Sequence, residues 1–289
     1  MPRGALSGLV PVNTGLPTPR PGEVMLAVKA VGLNFRCGSV QEGGERGWDW
    51  ISASPQAHSA KQAPCNAVWC GVLPCSCCRD VLNVLGMYPG DPGPPGGDCC
   101  GVVTAVGAGV SHRVGDLVFG QAAGCLGTAA VSSHHTLVLV PPTVSAEAAA
   151  TVPTVFLTAD ACLCAAAALR PGQRVLVHAS TGGLGLAAIQ MAEALGGVCI
   201  GTAGSAAKRS FLRHWSGGTC SALGSRDLEF CEEAVAEWGG VDVVINSLTS
   251  PGMVGATLAA QRLGGTFVEV GKRDIWSAAR LAQVSEART

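Results

Sequence analysis

Two groups of residues in this chain have the types and spacing that hold a phosphorylated cofactor. The first is Thr181, Gly182, Gly183, Leu184 and Gly185, set between the apolar run Val175-Leu176-Val177 and an Ala-, Ile- and Met-rich segment that stops at Gly196-Gly197. A buried strand, a tight glycine turn and a helix bring backbone N–H groups and a helix N-terminus against a pyrophosphate. The Gly182-Gly183-Leu184-Gly185 spacing is tighter than the common dinucleotide fingerprint, so its weight comes from the strand before it and the helix after it. The second group stands some twenty residues on, where NAD enzymes place a carboxylate against the ribose 2′-hydroxyl. This chain has Thr202-Ala-Gly-Ser205 there, followed by Lys208 and Arg209. With no acid to repel a 2′-phosphate and two cations to attract one, the expected cofactor is NADPH. The same two cations read otherwise as the solvated first turn of a helix.

The elements that must position these residues follow from pattern. Residues 22–33 alternate apolar and polar side chains around Val24, Leu26, Val28 and Ala30, as a half-buried strand does. Short strands with glycine corners continue over 99–110, 114–120 and 134–142, and the first part of the chain reads as a small barrel-like β domain. His134 and His135 fall on opposite faces of the last of these strands and make a poor metal pair. From residue 145 the rhythm changes. A helix-rich stretch over 145–169 is capped by Ser145, and strands at 175–177, 199–204, 241–248 and 265–271 alternate with helical segments. That alternation implies right-handed crossovers and a doubly wound parallel sheet. Thr202, Asn246 and Gly271 then fall at carboxyl ends of strands, where such sheets bind ligands.

Composition sets the outer limits. The 289 residues suffice for two domains, net charge is -1, and 13% of residues are charged, so nothing suggests a nucleic-acid partner. No apolar run is long enough to span a membrane and no secretory leader opens the chain, so a cytoplasmic protein is expected. The 14 cysteines do not form a disulfide framework. Cys162, Cys164, Cys199 and Cys231 sit in apolar or helical contexts as small hydrophobes. Cys37, Cys65, Cys70, Cys75, Cys77 and Cys78 crowd one segment without the paired spacing of a zinc site.

Several stretches, in order, are similar to the enoyl reductase domain of polyketide and animal-type fatty acid synthases, within the medium-chain dehydrogenase/reductase superfamily. They are GLNFR and DVLNVLGMYPG, GVVTAVGAGV with VGDLVFG, AATVPTVFLTA, VLVHASTGGLGLAAIQMA, TAGSAAKRSFLR, SRDLEF, VDVVINSL and GGTFVEVGKRDI. The resemblance implies an α/β protein with a GroES-like β-barrel domain over 1–140 and a Rossmann NADPH-binding domain over 141–289, C-terminally truncated relative to the family. It also implies that residues 37–79 split a junction that is continuous in the family, as a surface-loop insertion or, preferably, as foreign sequence such as a retained intron.

The resemblance also implies a chemistry. Ser205 and Lys208 match phosphate contacts, and Arg226 is a further candidate. Zinc-dependent relatives carry metal ligands where this chain has Asn34-Phe35-Arg36, and no histidine precedes Cys99 and Cys100, so a metal-free reductase is expected. Lys272 is the leading proton donor, with an ordinary surface lysine as the plain alternative. Tyr88 matches the family's Tyr-Pro-Gly, where turn packing competes with catalysis. Asn34 and Asn246 are expected in the cleft, and His178 reads as a satisfied strand-end histidine. The implied substrate is an enoyl thioester carried on an acyl carrier protein or on CoA, and a homodimer is compatible with the family. A free-standing quinone oxidoreductase-like reductase and a non-catalytic remnant remain as alternatives.

Overall fold

A computed structural model describes residues 13, 15–16, 18–33, 93–248, 250–271, 276–277, 280 and 283. The crowded cysteine segment 37–79, Asn34, Tyr88 and Lys272 lie outside the described residues.

Alternating side chains build the first sheet. Its strands are β1 (Glu23–Gly32), β2 (Asp98–Val106), β3 (Leu117–Gln121), β4 (Ala129–Ser133) and β5 (Leu137–Leu139), in the order β4-β1-β2-β3-β5 with every pairing antiparallel. Val24 and Leu26 of β1 turn inward and pack with Cys99, Val103, Val118, Ala130 and Leu137. The strand expected over 134–142 is shorter than its sequence suggests. His134–Thr136 form a single 3-10 turn in which Ser133 Oγ accepts from the His135 N–H at 3.3 Å. The two histidine rings therefore lie side by side with centroids 3.8 Å apart, not on opposite strand faces.

Two short helices lead to the second sheet. Ser145 caps α1 (Ala146–Ala150), its Oγ accepting from the Ala148 N–H at 3.2 Å. Helix α2 (Pro153–Asp160) opens on a proline, which fits a first turn that has no use for its N–H. It runs into a π-helical turn over Ala161–Ala166. Helix α1 packs Ala149 and Ala150 against Cys100 of the first sheet. Asp98, buried in β2, ties down the start of α2. Its carboxylate accepts from the Thr154 N–H at 2.9 Å and the Thr154 hydroxyl at 2.7 Å. A carboxylate at a helix N-terminus also meets the positive end of the helix dipole. Asp98→Ala leaves those donors buried without an acceptor and should lower the unfolding free energy by about 3 kcal/mol in urea titrations. A loss below about 1 kcal/mol would show that the tie is dispensable.

The second sheet is parallel throughout. It holds β6 (Arg174–Val177), β7 (Val198–Ala203), β8 (Ser221–Gly224), β9 (Val241–Asn246) and β10 (Gln261–Glu269), ordered β10-β9-β6-β7-β8. Helices α3 (Gly183–Ala194), α4 (Ala206–Trp215), α5 (Glu229–Trp238) and α6 (Met253–Ala260) connect the strands. Both faces are covered, and the strands record this residue by residue. Val175, Val177, Val243 and Ile245 pack with α2 and α3, whereas Leu176, Ile200 and Val244 pack with Phe230 of α5 and Leu258 of α6. Strand order reverses between β6 and β9, and the crevice at their carboxyl ends is where a doubly wound sheet takes a dinucleotide.

The eight described cysteines are free thiols. Burial pushes Cys162, Cys199 and Cys220 up to about 12, so they remain protonated and inert. Cys164, read from sequence as a small hydrophobe, is instead exposed. Among the described residues no helix is long and apolar enough to cross a membrane.

Candidate cofactor site

The site is built outward from the end of β6. The His178 N–H continues the ladder to Ile245 O at 3.1 Å, and Ser180 donates its N–H and its hydroxyl to Thr202 O at 3.0 and 2.9 Å. The Gly182 N–H closes the turn onto Ala179 O at 2.9 Å, with Ala179 held at φ +50°. Helix α3 then starts, with Gly182 at its N-cap and no side chain capping it. The first amides of a helix have no partner within it, so this terminus offers N–H donors and a positive dipole end to an anion. Gly185 is the glycine whose size matters most, because a Cβ there would lie 2.5 Å from Ser180 Cα. Gly182 and Gly183 are exposed, and Thr181 and Leu184 are half-buried beside them.

The next strand end carries the cations. Ser205 is the N-cap of α4, its Oγ accepting from the Lys208 N–H at 3.3 Å. Arg226, just past β8, donates Nε–H to Gly204 O at 3.2 Å, and a Cβ on Gly204 would stand 2.8 Å from that nitrogen. Arg209 reaches Ala203 O at 3.3 Å. Ser205, Lys208, Arg209 and Arg226 thus surround one backbone turn. The neighbouring acid, Asp227, accepts from the Glu229 N–H of α5 at 3.2 Å. The sequence expected Thr202 at this edge as well. Its side chain is buried and its hydroxyl lies 2.9 Å from His178 Nδ1.

His178 is wholly enclosed. Its Nε2 lies 2.9 Å from Thr257 Oγ1, and Thr257 donates its own proton to Met253 O at 2.7 Å. Thr257 must therefore accept from Nε2–H, which leaves Nδ1 to accept from Thr202. Phe230 packs edge-on against the ring at 5.1 Å. Burial pulls the imidazole down to about 3, so it is neutral at ordinary pH. This is the satisfied strand-end histidine that the sequence suggested.

On the other side of β6, Asn246 ends β9. Its Oδ1 accepts from the Leu248 N–H at 3.3 Å, and its Nδ2 donates to Leu248 O at 3.3 Å and to Glu269 Oε2 at 2.7 Å. The other oxygen of Glu269 accepts from the Gly271 N–H at 2.6 Å. Asn246 and Gly271, both expected to face the cofactor, are joined through a buried acid that sequence reasoning missed, and Asn246 itself is fully buried with its amide engaged inside the turn. The signal of that acid was a lone glutamate in the apolar run Phe267-Val268-Glu269-Val270. Cys99 and Cys100 are fully buried in β2, and among the described residues no group of three or more His, Cys, Asp or Glu could hold a metal.

Residues 183–284 match the zinc-binding dehydrogenase family. Over 263 residues, 91% of this chain and 10% of the other, the sequence is 41% identical to NorB of the spectinabilin polyketide synthase system of Streptomyces orinoci. The chain spans about a tenth of the length of the curated relatives it matches. The crystal structure of CurK enoyl reductase superposes with a TM-score of 0.77 at 31% identity, covering 98% of this chain and 76% of that one. The chain belongs to the enoyl reductase family. Enoyl reductases of this medium-chain dehydrogenase/reductase type pair a GroES-like domain with a Rossmann domain, which accounts for the antiparallel sheet followed by the parallel one. A mycobacterial protein, Rv1454c, complexed with NADPH superposes with a TM-score of 0.73 at 26% identity, over 99% of this chain and 77% of that one.

Proposed function

We propose that this chain is the enoyl reductase unit of a polyketide synthase and reduces an α,β-unsaturated acyl thioester with NADPH. The observation that carries the reading is the Ser205–Lys208–Arg226 cluster beside an uncapped helix terminus in a chain 31% identical to CurK enoyl reductase. The residues fit the cofactor. The turn from Thr181 to Gly185 would take the pyrophosphate, and Ser205, Lys208 and Arg226 the 2′-phosphate. NADPH supplies the hydride that reaches the β-carbon of the thioester. The protein must then support the developing enolate oxygen and deliver a proton to the α-carbon. Lys272, outside the described residues, is our proposed proton donor, with Tyr88 as a second candidate. We place the substrate domain at 1–140 and the cofactor domain at 141–289, and the thioester arrives on an acyl carrier protein or on CoA.

The test is a crotonyl thioester, offered on CoA and on carrier protein, with NADPH oxidation followed by absorbance. Reduction of the thioester and not of quinones is expected. Equal turnover of quinones would favour a quinone oxidoreductase, whose mycobacterial representative shares the fold at 25% identity. Tight NADPH binding without thioester reduction would mark a non-catalytic copy.

A further inference from the structure

Helices α4 and α5 carry segregated charge. Helix α4 holds Lys208, Arg209, Arg213 and His214 and no acid, and α5 holds Glu229, Glu232, Glu233 and Glu237 and no base. In a chain with 13% charged residues and a net charge of -1, this separation is local and not a by-product of composition. Within one chain it is unfavourable. Glu229, Glu233 and Glu237 stand one turn apart, where like charges repel, and Glu237 occupies the last turn, at the negative end of the helix dipole. Among the described residues none of the four glutamates pairs with a cation. Apolar surface accompanies the charge. Phe211 and Trp215, one turn apart on α4, are 48% and 36% exposed, and Val235 on α5 is 46% exposed.

The fold keeps these two surfaces apart. Leu212 anchors α4 on one face of the parallel sheet, and Phe230 and Ala234 anchor α5 on the other. Both helices flank β8, the last strand in the sheet order. Arg213 marks the place, reaching Ala222 O of β8 at 3.0 Å. The basic helix therefore cannot meet the acidic helix of its own chain and can meet that of another. We propose that a second copy of this chain docks at the β8 edge, with α4 of each copy against α5 of its partner. A twofold axis in the plane of the sheet exchanges its two faces, so both contacts form together and the assembly closes as a dimer. A twofold axis perpendicular to the sheet would set α4 on α4 and α5 on α5, which like charge opposes. The contact centres on Phe211, Arg213 and Trp215, residue types that anchor interfaces, against Glu232, Glu233 and Val235 of the partner subunit. It leaves Ser205 and Lys208, at the other end of α4, to the cofactor.

Sedimentation velocity of the full chain tests the contact. At about 100 μM in low salt the chain should be largely dimeric, and salt at about 0.5 M should weaken association roughly tenfold or more. Arg213→Glu with His214→Glu reverses the charge of the α4 patch, and Glu232→Lys with Glu233→Lys that of the α5 patch. Each double variant alone should associate about tenfold or more weakly than wild type. An equimolar mixture of the two should recover the dimer, because each reversed patch then faces its opposite. Of the four side chains only that of Arg213 bonds to the fold. Should its replacement unfold α4 by circular dichroism, Phe211→Ser serves as the α4 probe and should weaken the dimer about tenfold. A wild-type chain that stays monomeric at the same concentration overturns the proposal, as does a dimer indifferent to salt and to both patches. A mixture that stays monomeric overturns the pairing of α4 with α5.

Discussion

Exchanging Lys208 and Arg226 for glutamate together should weaken NADPH binding by about a hundredfold or more while NADH binding holds or improves. Each cation would make a charge-assisted hydrogen bond to the 2′-phosphate, worth roughly 1.5–3 kcal/mol, and each new carboxylate would face that phosphate with like charge. The local geometry makes the effect specific. Arg226 is fixed by its Nε–H to Gly204 O, in a gap that exists because residue 204 has no side chain. Ser205 keeps its cap on α4 whatever happens at 208, since that bond comes from the backbone N–H of Lys208. Both cations are exposed, so their replacement should leave the melting temperature near the wild-type value. Fluorescence titration with the two dinucleotides reads the result. A preference for NADPH that survives both substitutions would place the 2′-phosphate elsewhere and sink the assignment of this cluster.

That cluster was legible in the sequence because its parts lie within one crossover and the next strand end. The parallel strands were legible for a related reason. Runs such as Val175-Leu176-Val177 and Val243-Val244-Ile245 are buried on both faces and leave no polar alternation. Other elements gave little signal. Strand β8, Ser-Ala-Leu-Gly, has four residues and none that is β-branched. Helix α6 is apolar around its whole circumference, so no helical period stands out in Met253–Ala260. Strand β4 is hidden among serines and alanines. The contacts that set the site were the least visible. Asp98 meets Thr154 across 56 residues, and Asn246 meets Glu269 across 23. In each case two ordinary polar residues acquire a role through the way the strands are ordered, which no local pattern records. Thr202 illustrates the converse. Its place at a carboxyl end pointed to the cofactor, and the fold turns its side chain into the core beneath the turn.

His178 under that turn should make the protein acid-sensitive well above the range where carboxylates titrate. In the unfolded chain its imidazole takes a proton near 6.5, whereas burial among Thr202, Thr257 and Phe230 holds it down to about 3 in the folded protein. Between those values the unfolded state binds more protons than the native one, so stability falls as pH falls. The contribution is complete above pH 6.5 and is lost at up to about 1.4 kcal/mol per pH unit below it. By pH 5 the loss attributable to this one residue is about 2 kcal/mol, a large share of the roughly 5–15 kcal/mol that holds a typical domain together. His178→Gln removes the titration while keeping a donor and an acceptor on the side chain. It should be less stable than wild type at pH 8 by about 1–2 kcal/mol, for imperfect packing and bonding, yet lose less on acidification. The two stability curves, measured by urea unfolding from pH 8 to pH 5, should therefore converge. Parallel curves would mean that the histidine already carries its proton in the native state. That would leave the Nε2–H donating to Thr257 and turn Nδ1 from an acceptor into a donor to the Thr202 hydroxyl, because a protonated ring has no acceptor left. The same titration thus tests whether the strand end beneath the glycine turn is held by a neutral ring bonded at both nitrogens.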